Sequence, residues 1–242
     1  MEFKKIPLDE SMKMTEAILN NPLFLFVLER FEINLGFEDK TVADVCSENH
    51  VSLSVFLMVC NLFNDPGLTE VDLDKIDDIE QLIKYLKNSH RFYLEEKYPE
   101  ISRKITSMIE QYPGSEIKMV QGFFEEYIKE VTEHIHYENN IVFPYVIELF
   151  RKGTEAQSPK SLKHYAVIDY KKHHSNIEEK LTDLKNLLIK YLPQKGEMSI
   201  RRSILFDLFE LEYDLNIHQK IEDTILIPLV EEIENSIKNQ KP

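Results

Sequence analysis

His134-Ile-His-Tyr-Glu138-Asn-Asn-Ile141-Val-Phe-Pro144 and His218-Gln-Lys-Ile-Glu222-Asp-Thr-Ile225-Leu-Ile-Pro228 are two copies of one pattern, H-x3-E-x2-I-x2-P. A separation of four residues puts the His and the Glu on one helix face, one turn apart. An imidazole and a carboxylate placed in this way can converge on one metal ion. The residues around each pair run in alternating steps of four and three. In the first copy they are Tyr127, Val131, His134, Glu138, Ile141 and Tyr145; in the second, Leu211, Leu215, His218, Glu222, Ile225 and Leu229. The polar pair therefore interrupts the apolar stripe that should face a helix-bundle core.

Two further stripes each carry a histidine. One reads Val167, Tyr170, His174, Ile177, Leu181, Leu184, Leu188, and the other Ile83, Leu86, His90, Tyr93. Four long periodic segments are expected, at roughly 78–111, 116–150, 160–192 and 199–238. Pro113-Gly114, Gly153 to Pro159 and Pro193 to Gly196 separate them as turn-forming clusters. Helices of ~30 residues joined by short loops predict an up-down-up-down four-helix bundle, each helix ~45 Å long. An all-α chain also agrees with only six glycines in 242 residues and with the long stretches free of breakers. Asn64-Asp-Pro-Gly67 and the charged stretch from Glu70 to Asp78 mark a boundary. Residues 1–70 read as a small helical domain and 71–242 as the bundle.

A lone inward histidine is ordinarily a core residue. Four of them, with two glutamates at matching positions, ask for another explanation. Burying an unpaired carboxylate costs several kcal/mol, and no Lys or Arg shares these seam turns. The candidate metal ligands are thus His90, His134, Glu138, His174, His218 and Glu222. Imidazole and carboxylate donors without thiolate suit iron or manganese, whereas a structural zinc site more often uses Cys and closes at four ligands. The two carboxylates, one from each copy, could bridge two metals. Ferritin-like di-iron bundles use Glu-x-x-His, of reversed order and different spacing, and that is not the repeated unit here. His136 lies about 200° around the helix from His134 and is expected to be exposed. His50 and His164 have no partner pattern.

Composition narrows the partners. The net charge of −14 disfavours a general binder of nucleic acid or anionic membranes. There is no run of 18 apolar residues that could form a transmembrane helix. Met1 to Glu10 has no apolar segment and carries Asp9 and Glu10, so it does not read as a signal peptide. Cys46 and Cys60 make no disulfide framework, and the expected location is the reducing cytoplasm. No pattern for the substrate pocket of a conventional oxidase or reductase stands out.

The doubled motif, with single histidines on the first and third long helices, resembles the hemerythrin-like domain. The nearest likeness is to the iron–sulfur cluster repair di-iron proteins, the RIC family. Tyr93-Leu-Glu-Glu-Lys-Tyr98-Pro-Glu-Ile101 after His90 is similar to that family's first ligand helix, often H-x2-YL-x4-P-x-[IL]. The likeness covers about 80–235. It implies two iron ions in an oxo- or hydroxo- and carboxylate-bridged di-iron centre. It also implies a role in restoring iron–sulfur clusters damaged by nitric oxide or oxidative stress, with damaged iron–sulfur proteins as partners. The family's third helix places its ligand in a Glu-His-Asp motif. Here the place reads His173-His174-Ser175, which matches at His174, with His173 as the alternative.

The N-terminal part departs from the family pattern. Many members carry adjacent cysteines before a Gly-Gly, whereas Phe31 to Cys46 keeps one late cysteine and lacks the pair. Cys46 and Cys60 read as small core residues. Thr41 to Ser54 has the rhythm of a helix-turn-helix, but its second helix, with Phe56, Leu57 and Met58, offers no Arg or Lys to phosphate or base. It reads as an interaction or dimerisation module, so a homodimer is one expected arrangement. Three functions are compatible with these residues: cluster repair, reversible binding or sensing of dioxygen or nitric oxide, and iron storage or scavenging.

Overall fold

Prolines set the rhythm of the long helices. The computed structural model describes residues 6–68, 71–76, 78–153, 177–192 and 198–239. Among these the regular structure is helical, apart from one isolated antiparallel bridge between Lys13 and Thr41. Four short helices come first: α1 (Met14–Asn20), α2 (Phe24–Arg30), α3 (Val42–Glu48) and α4 (Leu53–Asn64). The longer ones follow: α5 (Ile79–Phe92), α6 (Tyr98–Gln111), α7 (Ser115–Tyr137), α8 (Phe143–Gly153), α9 (Ile177–Asn186), α10 (Met198–Ile221) and α11 (Ile227–Asn239). Wider π turns join or extend them at Tyr93–Lys97, Glu138–Val142, Leu187–Tyr191 and Glu222–Leu226.

Each π turn begins six residues before a proline, namely Pro99, Pro144, Pro193 and Pro228. A proline inside a helix has no N–H to donate, and its ring meets the carbonyl four residues back. Widening the turn relieves that clash. The amides of Tyr98, Phe143 and Ile227 donate to the carbonyls of Tyr93, Glu138 and Glu222, five residues back. Ahead of Pro193 the chain instead turns extended at Leu192, as residues before proline prefer.

The π turn shifts the helix phase by one residue, and this corrects one sequence expectation. Ile141, assigned to the inward seam, is 47% exposed, and Val142 is 2% exposed in its stead. Before the turn the seam holds, with Tyr127 and Val131 buried; after it Tyr145, Val146 and Leu149 are buried. On the second copy Ile225 and Leu229 stay buried as expected, and Leu226 joins them. His136 is exposed, and its carbonyl accepts a 2.7 Å bond from Asn140 Nδ2.

Contacts divide the chain into two compact units, one of residues 1–89, 145–163 and 217–242, the other of 90–144 and 164–216. In the second unit the core follows steps of three and four: Tyr98, Ile101 and Ile105 on α6, Val120, Phe124 and Tyr127 on α7, Leu181 and Leu184 on α9, Ile204, Leu208 and Leu211 on α10. Each such side chain contributes about 1.5–3 kcal/mol by leaving water. Lys97, also buried, reaches Glu210 at 2.5 Å and Asp207 at 3.4 Å, and Lys104 reaches Asp207 at 2.5 Å. These pairs supply the partners that a buried ammonium needs.

In the first unit the short helices are hydrogen-bonded to one face of α5. Gln81 accepts from Ser52 N at 2.7 Å and donates to the His50 carbonyl at 3.0 Å. Lys84 pairs with Glu32 at 2.6 Å, and Asn88 Nδ2 donates to the Arg30 carbonyl at 2.7 Å. Residues 81, 84 and 88 share a face by helical spacing, while Ile83, Leu86 and His90 lie on another. α3 starts with a capping box between Thr41 and Asp44. α4 buries Val55, Phe56, Val59, Cys60, Leu62 and Phe63 on one broad face, while Ser54, Leu57, Met58 and Asn61 on the other are half-buried. No helix among the described residues is long and apolar enough to cross a membrane.

Candidate metal centre

The two glutamates of the repeated motif occupy the same structural position: each is the first residue of a π turn. The histidines stand one turn earlier, His134 near the end of α7 and His218 near the end of α10. His90 lies near the end of α5, three residues before the π turn at Tyr93. A π turn frequently marks a functional site, because it re-aims side chains that a regular helix would spread evenly.

Glu138 is 1% exposed and sits between two imidazoles. His134 Nε2 lies 2.9 Å from its Oε1, and His90 Nε2 lies 3.2 Å from its Oε2. Burial pushes the Glu138 carboxyl up, but the hydrogen bonds from His134 and His90, with their charge, outweigh it and hold the group well below the usual carboxylate range. In the second copy His218 Nε2 lies 3.4 Å from Glu222 Oε1, with Glu222 also buried. Ligating atoms of His90, Glu138, His218 and Glu222 all lie within 4.8 Å of one another. The four residues form a buried group that could hold a metal ion.

No family model matches the chain, and no curated protein does. The reading of the site therefore rests on its own atoms. All four donors are nitrogen or oxygen, and the two free cysteines, Cys46 and Cys60, are on other helices. Two carboxylates and two imidazoles in one buried place need positive charge, because several kcal/mol of lost hydration must be offset. A divalent or trivalent ion would supply it. The residues present thus fit a metal ion of hard or borderline preference.

Of the six candidate ligands, the structure brings His90, Glu138, His218 and Glu222 into one group and sets His134 against Glu138. His134 is the more open, with 17% of its side chain exposed. His174 and its alternative His173 lie outside the described residues. Sequence reasoning overlooked two neighbours of His90. Asn139 Oδ1 lies 3.0 Å from His90 Nδ1. The Phe143 ring stacks on the His90 ring, with centroids 5.5 Å apart and planes 13° from parallel. Both follow Glu138 in the quoted motif. A uniform helical period assigns Asn139 to no inward face, so its signal lay only in the proline that imposes the π turn.

Proposed function

We propose that this protein is a hemerythrin-like four-helix bundle holding a non-haem di-iron centre, and that it acts in repairing iron–sulfur clusters damaged by nitric oxide or oxidants. The observation that carries the metal reading is the buried group of His90, Glu138, His218 and Glu222. Support for two ions rather than one comes from the number of candidate donors. His134 and the third-helix histidine, His174, extend the set to six, and two carboxylates are available as bridges. Support for repair comes from the resemblance of the doubled motif to the RIC family. Such a centre, when bound, supplies reversible one-electron chemistry and a place for small molecules such as dioxygen and nitric oxide.

The residues of this chain have definite tasks in that reading. His90 and His218 present nitrogen donors from two helices, and Glu138 and Glu222 neutralise the positive charge of the ions. The apolar seam residues around them, Val142, Ile225 and Leu226 among them, are buried and keep bulk water off the donors.

A second reading, sensing of dioxygen or nitric oxide with the N-terminal helices as relay, is favoured by one observation. Burial pushes the Cys46 thiol up to about 12, and burial with the nearness of Cys46 raises Cys60 well above its ordinary value. These thiols are poorly suited to delivering sulfur or iron. The discriminating experiment mixes iron-loaded protein with an iron–sulfur hydratase inactivated by nitric oxide. Recovery of hydratase activity that needs the loaded protein and fails with Glu222→Gln supports repair. No recovery, with reversible nitric oxide uptake by the loaded protein, supports sensing.

A further inference from the structure

The second nitrogen of a ligating imidazole decides what the first can do. Ligating histidines commonly donate the remote N–H to a fixed acceptor, which sets tautomer and ring orientation. In this chain His90 Nδ1 faces Asn139 Oδ1 at 3.0 Å, while Nε2 faces Glu138 Oε2 at 3.2 Å. An amide oxygen only accepts, so the proton of this bond belongs to Nδ1. Nδ1 thus keeps its proton, and Nε2, which faces Glu138, is the nitrogen that would release its proton and give its lone pair to an ion. The ring is also clamped against Phe143. Acceptor, carboxylate and stacking ring all come from the stretch Glu138 to Phe143, and the π turn is what lets them reach one imidazole.

Asn is a poor helix former, since its side chain competes for backbone groups. Its presence inside a long helix asks for a tertiary reason. The neighbouring Asn140 shows the ordinary local alternative, bonding back to the His136 carbonyl at 2.7 Å. Asn139 instead reaches another helix. The matching residue of the second copy is Asp223, which is exposed and whose Oδ2 lies 3.5 Å from Gln219 on its own helix.

We propose that Asn139 is a positioning residue of the metal site: it fixes His90 as the Nδ1–H tautomer and aims Nε2 at the ion shared with Glu138. The inference rests on the metal reading given above. It makes the two copies of the motif unequal, the first copy being the one that pre-organises a ligand from another helix.

The test compares wild type, Asn139→Asp, Asn139→Leu and Asn139→Ala for iron affinity, by competition with a chelator, for the iron charge-transfer spectrum, and for metal-free melting. Leu removes the acceptor at similar volume, and Asp restores it. The expected result is iron binding about 10–100-fold weaker for Asn139→Leu, near-wild-type affinity with a shifted spectrum for Asn139→Asp, and similar metal-free melting for all. If Asn139→Leu does not fold, the affinity ratio of Asn139→Asp to Asn139→Ala gives the same answer. Equal affinity and spectrum in the variants and a loaded wild type would overturn the positioning role alone. Equal weakening by Asp and by Leu or Ala would overturn it too, since an acceptor would not be what matters. A wild type that takes up no iron at all would defeat the metal reading itself.

Discussion

Glu222→Gln should separate the two effects of the carboxylate it replaces. The Glu222 carboxylate is buried, and one of its oxygens lies within 4.8 Å of a ligating atom of Glu138, of His90 and of His218. Two full negative charges no farther apart than that repel by about 3.5 kcal/mol or more at an effective dielectric of about 20. The nearby imidazole of His218, 3.4 Å away, offsets that repulsion by a similar amount when it is protonated. Gln keeps the shape and removes one charge, so it loses a repulsion and an attraction of comparable size. The metal-free variant should therefore melt within about 2 °C of the metal-free wild type, or above it. With metal the sign reverses. An ion present at about 100 times its dissociation constant stabilises the folded state by about 2.7 kcal/mol, which is about 5–11 °C for a chain of this length. The variant has lost a charged donor, and most of that gain should vanish at the same free metal concentration. Differential scanning calorimetry of chelated and iron-loaded wild type and variant measures all four values. A chelated variant that melts 5 °C or more below the chelated wild type, yet keeps the full gain from iron, would show that Glu222 is a structural residue and refute the reasoning.

Further predictions concern the π turn and the thiols. Ile141→Lys should cost under about 1 kcal/mol in urea unfolding, because that side chain points outward, whereas Val142→Lys buries an unpaired ammonium and should cost about 3 kcal/mol or more; the reverse order would place the helix phase where a uniform period puts it. With the Cys46 thiol pushed up to about 12 by burial, alkylation at pH 8 should be about a thousandfold slower in the native protein than in urea, where the thiol returns to its ordinary range. Fast native labelling would show that the N-terminal helices open readily and would revive a thiol role. Metal uptake should release protons and weaken as pH falls, since ligating histidines must be neutral; titration in weakly buffered solution would detect the protons, and pH-independent uptake would exclude His90 and His218 as ligands.

The helical segments were legible because two simple signals agree. Apolar residues recur in steps of three and four, and Pro or Gly clusters punctuate them, so expected spans such as 78–111 and 199–238 lie within a residue or so of the observed α5 to α6 and α10 to α11 runs. The grouping of His90, Glu138, His218 and Glu222 was legible for the same reason, since polar residues in an apolar stripe share its face. The π turns were not, because the phase was carried through Glu138 at a constant period. A constant period puts Ile141 inward and Val142 outward, the reverse of their burial, and leaves Asn139 on no inward face. The proline six residues after the start of each π turn is visible in the sequence, but motif and turn readings of it do not reveal the change of phase. The hydrogen bonds of Gln81, Lys84 and Asn88 to the short helices could not be read from sequence, because they join polar residues whose spacing resembles that of any solvated helix face.

Metal content tests the di-iron centre most directly. Protein expressed with adequate iron, or reconstituted anaerobically with ferrous iron, should be assayed by elemental analysis together with optical and Mössbauer spectra. The account predicts two iron ions per chain, coupled through bridging ligands, and a drop towards one or none when Glu138 or Glu222 is changed to Gln. One tightly held zinc per chain, with no iron taken up after its removal, would contradict it.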